Sequence, residues 1–486
     1  MSIFEQILRK SAIYTVALIA GKVASIVLLP LYTRYLTTAD YGILDLLSSA
    51  QMFFELLVGV RLADGLLYYH AKAQYEEPGA EKAVVSSALH GAILFGAATA
   101  AAGVLGPDAV SRMIFRTEAH AGLIRIICFG IAVLPLAEVG MGYLRALDNA
   151  LHYTAVSVMR LVVTGVLAAV FLAVYGMGVK GVLWAAALGT AVQAAWVGLV
   201  AAWKCGLRFS PYWLWVQLKY AAPLCLSGLM MTFIHYGDRF FLQRHVSMSD
   251  IGLYGLAYKL GMVVSFVSTP FFQYWHSQMF NILRTSDGGA VYVRLLTYLT
   301  LVLQATALAV TVFAGPALAV LASAPFRAAA SLVPYIAATY VIRGVGEQLR
   351  SIFSVRKRTE LFPVVTAAGV TVCGVLYAVL VPRWGVYGAV GATGAAFAVM
   401  GLAGYILGQR LQRHRFEWGR IAALTAATVA AGGSFLLLAP RAVWAQLAAG
   451  VAVMAAWCGV LVWMRFFTPD ERDWALRKLR GLRTAG

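Results

Sequence analysis

Eight ionisable residues stand in stretches apolar enough to lie inside a bilayer. The candidates for a site are five basic residues, four within these stretches (Lys22, Arg160, Lys259 and Arg343) and Arg61 at the inner end of one, and three acidic ones (Glu55, Glu138 and Glu347). A charge at bilayer depth costs about 2.5–3.5 kcal/mol, so each of these groups must pair, reach an interface or bind something. Ammonium and guanidinium groups suit a phosphorylated ligand, with Arg offering a planar fork and Lys a point charge. A carboxylate at that depth can carry a proton or a cation, or balance a nearby basic group. Each basic residue also has a local reading. Lys22 can pair with Glu55, and Lys259 can snorkel to the outer interface. Arg61 has Asp64 at i+3, and Arg343 has Glu347 at i+4. Arg160 has no acid at i±3 or i±4, so its partner is another helix, water or substrate. Arg125 lies near the outer end of its stretch and reads as snorkelling. The five cysteines contain no C-x-x-C pair and read as small core residues; no metal site and no cofactor are expected.

The elements that must hold these residues are membrane helices. The chain has 486 residues, 61% of them hydrophobic and 12% charged, against about 25% charged in soluble domains. Mean hydropathy is +0.77. About fourteen crossings of roughly 20 residues account for most of the length and leave no room for a soluble domain. The apolar runs fall near 11–32, 43–62, 83–105, 121–144, 151–175, 180–203, 215–236, 251–275, 291–314, 331–352, 361–382, 385–408, 419–438 and 443–466. The first run resembles a signal peptide after Arg9 and Lys10, but it lacks a small-residue cleavage site and reads as a retained span. With the N-terminus cytoplasmic, 25 of the 39 Lys and Arg fall on the inner side and 9 on the outer. The positive-inside rule then puts both termini in the cytoplasm and requires an even number of spans. The net charge of +18 follows this topology, so the partners are anionic lipids and not nucleic acid.

Two links repeat. Leu36-Thr37-Thr38-Ala39-Asp40-Tyr41-Gly42-Ile43 follows the first span, and Val246-Ser247-Met248-Ser249-Asp250-Ile251-Gly252-Leu253 follows the seventh, 210 residues later. Each reads as a helix cap in which a hydroxyl and a carboxylate satisfy free N–H groups. Gly178-Val179-Lys180-Gly181-Val182 and Gly385-Val386-Tyr387-Gly388-Ala389 match at offset 207, and Arg34 matches Arg244 at 210. A six-span unit repeated in the same orientation is implied, giving an all-α protein with two six-helix lobes, 1–210 and 211–412. Residues 413–486 add two helices and a basic tail. Parallel halves of this kind work by rocking about a central cavity.

Asp238-Arg239-Phe240-Phe241-Leu242, the following Asp250-Ile251-Gly252-Leu253-Tyr254, and Leu29-Pro30-Leu31-Tyr32 leading to Asp40-Tyr41-Gly42 carry a family resemblance. The chain resembles Wzx-type lipid-linked oligosaccharide flippases of the MOP superfamily over essentially its whole length. The resemblance implies a multi-pass protein of the bacterial inner membrane that carries an undecaprenyl-pyrophosphate-linked glycan from the cytoplasmic to the outer leaflet. It implies a cavity lined by cations from helices 1, 2 and 8, where Lys22, Arg61 and Lys259 stand in this chain. Membrane lipids and polysaccharide assembly proteins complete the partners expected. Asp238 reads as a tether to the adjacent loop or the eighth helix. Phe271, Phe272, Tyr274, Trp275 and His276 either stack sugars or form an interfacial belt.

Two other functions compete. A multidrug antiporter of the same superfamily needs an apolar cavity with acids, whereas the cations within spans number five here against three glutamates. A glycosyltransferase or polymerase needs an acidic site in a large outer loop, and Asp108 and Glu118 form no convincing pair. No P-loop is present, so direct ATP use is not expected. The parallel repeat predicts that reporters fused at Ser2 and at Thr484 both report the cytoplasm. Reporters on opposite sides would remove it.

Overall fold

The computed structural model describes residues 27–467 except 60, 78, 439 and 441. The expected cavity residue Lys22 and most of the first span lie outside the described residues. Every regular element among the described residues is helical. The chain divides into two compact units, Met1–Leu253 and Tyr254–Gly486.

Unit 1 holds α1 (Leu29–Tyr35), α2 (Thr38–Gly59), α3 (Leu62–Glu76), α4 (Glu81–Leu105), α5 (Pro107–Phe115), α6 (Ala121–Ala146), α7 (Ala150–Ala173), α8 (Gly178–Cys205), α9 (Pro211–Tyr236), α10 (Asp238–Leu242) and the start of α11 (Met248–Gly261). Leu62, Leu66, Val85, Ala88, Leu89, Val139, Tyr143 and Ala201 form its main apolar core. Unit 2 continues through α12 (Val263–Ile282), α13 (Gly288–Leu321), a 3-10 turn (Ala324–Ser331), α14 (Val333–Arg350), α15 (Ile352–Val355), α16 (Leu361–Leu411), α17 (Trp418–Leu438) and α18 (Val443–Trp463).

Ten described helices are long and apolar enough to cross a bilayer, and a pair bent by 46° (Ala324–Ser331 with Val333–Val355) makes an eleventh candidate. Each range expected from 43–62 onward falls on helix, although the divisions differ. The 51 residues of α16 cover two expected spans. At 1.5 Å per residue such a helix would be about 77 Å long, against about 30 Å of hydrocarbon. It breaks at Gly385, whose φ of 53° only glycine adopts freely. Gly178, its counterpart in the repeated motif, has φ 56°. The second span, expected to end at 62, continues to Glu76 after a break at Arg61, which is held left-handed at φ 50°.

The two repeated caps form as the sequence implies. The Thr37 backbone N–H and hydroxyl donate to Asp40 Oδ2 at 3.0 and 2.7 Å, and the Asp40 N–H donates back to Thr37 Oγ1 at 3.1 Å. Ser247 and Asp250 make the same three bonds at 3.2, 2.7 and 3.1 Å. The helices they start, α2 and α11, meet backbone to backbone. A Cβ on Gly42 would lie 1.8 Å from the Met248 carbonyl oxygen, and a Cβ on Gly252 would lie 2.1 Å from that of Thr38. The contact maps onto itself under the 210-residue offset.

Beside this contact Arg239 is only 1% exposed. It donates through Nη1 to Asp238 Oδ1 at 2.7 Å and to the His235 carbonyl at 3.0 Å, and through Nε to Asp45 Oδ2 at 3.1 Å. The charge count places Arg239 in an outer link, but it is buried, and the tether expected of Asp238 reaches α2 through Arg239 and Asp45. In unit 2 an uncharged network serves a similar end. Gln304 donates to Thr425 at 2.7 Å, Thr428 donates to Gln304 at 2.9 Å, and the Trp457 indole donates to Thr428 at 3.0 Å, joining α13, α17 and α18.

Two outcomes test these contacts by thermal unfolding in detergent. Gly42→Ala should destabilise by about 1–3 kcal/mol, as overpacking does. Gly122→Ala, which meets nothing within 4 Å, should be near neutral; equal effects would sink the close-contact reading. Arg239→Met leaves buried acids uncompensated and should cost about 3–5 kcal/mol, with Asp45→Asn costing less. An unshifted midpoint for Arg239→Met would show that the pair does not hold the helices.

Candidate functional site

Four of the eight in-span ionisable residues meet in one place. A cavity of about 900 Å³ inside unit 1 is lined by Glu55, Arg61, Glu138 and Arg160, joined by Asp64, Arg145, Tyr153, Ser157 and Gln193. Its walls come from helical stripes. Leu134, Glu138, Met141 and Arg145 follow one face of α6, and Tyr153, Ser157 and Arg160 follow one face of α7. The left-handed turn at Arg61 supplies the third wall. A bulky residue held in that region is strained by about 1–3 kcal/mol, and here the turn lets Arg61 and Asp64 line the cavity together.

The charges divide into used and available. Arg61 Nε donates to Asp64 Oδ2 at 2.7 Å, the local pair that the i+3 spacing offers. Gln51 donates to Glu55 Oε1 at 2.7 Å. Arg145 and Arg160 make no ion pair within 4 Å among the described residues. Glu138 also stands without one, its Oε2 beside Gly59. Arg160 and Glu55 line in addition a smaller cavity of about 220 Å³ with Gln51, Thr164 and Thr190. Three arginines therefore face three acids, and the cation excess counted over all spans is absent in this cavity. Arg145 and Asp64 join the cavity as one cation and one acid, and the excess lies with Lys259 and Arg343, which do not line it, and with Lys22, which lies outside the described residues. The sequence assigns Arg145 to an inner link, yet its spacing of seven from Glu138 puts both on one stripe.

In unit 2, Arg343 and Glu347 line a separate pocket of about 280 Å³ with Ser265, Ser268, Thr269, Phe272, Gln273 and His276. Arg343 and Glu347 approach to 3.8 Å, so the expected i+4 pair is present but loose. The aromatic cluster that ends the eighth span divides. Phe272 and His276 face the pocket. Trp275 is buried and stacks on Tyr292 at 5.6 Å, while Tyr274 is exposed. Lys259 is exposed on the last turn of α11 and lines none of these cavities. Of the signature residues, Asp40, Gly42 and Gly252 build the paired caps, Asp238 and Arg239 the buried ion pair. Tyr254 is fully buried, 5.6 Å from the Tyr258 ring.

Comparison with known proteins fits this fold. The family model described as polysaccharide biosynthesis protein matches residues 7–275. No curated protein matches the chain. Among solved structures, the lipid II flippase MurJ in an inward closed conformation is similar with a TM-score of 0.75 at 11% identity, over 93% of this chain and 98% of that one. An inward-facing multidrug resistance MATE family transporter of the MOP superfamily gives 0.60 at 18% identity, over 84% and 99%. A MOP superfamily transporter from Pyrococcus furiosus, described as having a binding pocket of reverse polarity, gives 0.53 at 15% identity, over 86% and 96%. At these identities the likeness is one of fold. With more than half its length matched by the family model and its apolar helices arranged as in MOP transporters, the chain is a multi-pass membrane protein belonging to the polysaccharide biosynthesis protein family.

Proposed function

We propose that this chain is a flippase, not an enzyme, that carries an undecaprenyl-pyrophosphate-linked oligosaccharide from the cytoplasmic to the outer leaflet of a bacterial inner membrane. It does so by alternating access of two parallel six-helix lobes, with two further helices at the C-terminal end and both termini in the cytoplasm. The observation that carries this reading is the pair Arg145 and Arg160, two guanidinium groups that make no ion pair within 4 Å among the described residues and line a polar cavity of about 900 Å³. Arg160 stands within α7, where an unpaired cation is expensive unless it has work to do, and Arg145 adds a second guanidinium at the exposed end of α6. A diphosphate offers several acceptor oxygens, and guanidinium groups can bind it through two parallel bonds each. Membership of a polysaccharide biosynthesis family supports a glycan as the cargo. The similarity of the MurJ fold, in a protein described as a lipid II flippase, supports a lipid carrier. Lys22 and Lys259 belong to the same proposed path, as does Arg343 in unit 2.

Glu55 and Glu138 give the cavity a second role in this proposal. When the diphosphate is absent they balance the arginines. When it arrives it competes for the same guanidinium groups, and a proton or cation taken up by a glutamate restores neutrality. Glu347, 3.8 Å from Arg343, is a further candidate for taking up a proton or cation. This exchange would link transport to an ion gradient.

The same acids favour one competing function. An antiporter of organic cations also needs carboxylates in a cavity, and a MATE transporter shares the fold. Export assays separate the two. Arg145→Ala and Arg160→Ala should each cut glycan export at least about tenfold, since a charged hydrogen bond contributes about 1.5–3 kcal/mol. Arg160→Lys should retain part of it, and all three proteins should insert normally. Full export by both alanine variants would remove the two arginines from the site, and no export by the unsubstituted chain would overturn the flippase reading. Organic-cation efflux that vanishes in Glu55→Gln would establish the antiporter instead.

A further inference from the structure

The pocket of unit 2 differs in chemistry from the cavity of unit 1. One wall is a stripe on α12, where Ser265, Ser268, Thr269, Phe272 and His276 recur at helical spacing and Gln273 adjoins. The opposing wall is Arg343 and Glu347 on α14. The three hydroxyls have already given their protons to their own helix. Ser265 donates to the Met262 carbonyl at 2.8 Å, Ser268 to that of Ser265 at 3.0 Å, and Thr269 to that of Ser265 at 2.8 Å. Toward the pocket these oxygens can only accept. Arg343 can only donate, and its buried Nε has no hydrogen-bond partner among the described residues. Gln273 can do both.

A ligand that satisfies this lining must donate to the hydroxyl oxygens and accept from the guanidinium. A phosphate only accepts, and it would also face the Glu347 carboxylate. An ammonium only donates, and it would face Arg343. An alcohol hydroxyl does both at one atom. Phe272, largely buried, and His276, with ring centroids 6.1 Å apart and planes tilted by 30°, add an aromatic edge to the lining of the kind that the C–H face of a sugar meets. At about 280 Å³ the pocket is just below the range of about 300–1,000 Å³ typical of drug-sized ligands, which suits a single ring.

We propose that this pocket is a subsite for an uncharged sugar ring, bound through its hydroxyls by Ser265, Ser268, Thr269, Gln273 and Arg343. The inference rests on the reading of the chain as a glycan carrier and divides the labour within it. Unit 1 takes the charged head, and unit 2 reads the sugar.

The test uses the full chain in detergent, carrying Thr269→Cys and labelled with a water-soluble maleimide. Labelling is read peptide by peptide in mass spectrometry, with Ser286→Cys, in the exposed link between α12 and α13, as internal control. Glucose, galactose and N-acetylglucosamine should between them include a sugar that blocks labelling at position 269 and leaves position 286 unchanged. Sodium pyrophosphate at matched ionic strength should not block it. Adding Gln273→Leu should raise the half-protecting sugar concentration about tenfold, the loss expected for one hydrogen bond to a ligand. Protection by pyrophosphate, or by none of the three sugars, would overturn the subsite. Glycan export by the unsubstituted chain is scored separately. Export without sugar protection removes the subsite alone, and sugar protection without export removes the flippase reading alone.

Discussion

Charge in hydrocarbon is expensive, about 2.5–3.5 kcal/mol per residue at the centre of a helix, and this chain spends almost none of it idly. Arg239 is the strictest case. It is buried to 1% exposure and is held by Asp238, Asp45 and a helix carbonyl, so its cost is offset by three hydrogen bonds. Those bonds cross from the segment after α9 to α2. The helix that begins at the paired caps is thereby tied to the one that precedes the second copy of the motif. Gln304, Thr425, Thr428 and Trp457 do the same without charge. Against this background the arginines that stay unpaired stand out. Arg145 and Arg160 lie on facing stripes of α6 and α7, and neither has a salt-bridge partner among the described residues.

The same logic separates the two polar pockets. In unit 1, free guanidinium groups and glutamates line one space, which suits exchange between an anionic ligand and internal counter-charges. In unit 2 one arginine has a glutamate close by, and the rest of the polar lining is Gln273, His276 and three hydroxyls whose protons are engaged. Geometry of this kind depends on helix periodicity more than on any one residue. Hydroxyls at 265, 268 and 269 of α12 give one turn of acceptors because each has donated its proton to the helix backbone.

Much of this was legible in the residues. The apolar runs carry the helices because lipid admits little else. The Thr-x-x-Asp and Ser-x-x-Asp spacings carry their own caps, since each needs only local atoms. Gly178 and Gly385 could be paired by motif, and their φ values of 56° and 53° agree. What was not legible depends on neighbours distant in sequence. Arg145 reads as an ordinary inner-link cation until α7 and α2 are placed beside α6. The left-handed turn at Arg61 has no local signal beyond Gly59, so the second span was expected to stop where it only bends. The acceptor stripe of α12 was present in the sequence, but the aromatic cluster that overlaps it draws attention to stacking. Lys22 lies outside the described residues, and Lys259 lines none of the three cavities.

The contact between α2 and α11 is also self-complementary. Gly42 meets the carbonyl of Met248, and Gly252 meets that of Thr38, so each copy of the motif presents the other with the same surface it receives. A joint that is unchanged when its two sides are exchanged is one that two identical half-length chains could form. In such a pair a single glycine would serve both sides, and its loss would be felt twice over. In one chain each side can vary alone, and both glycines are in place.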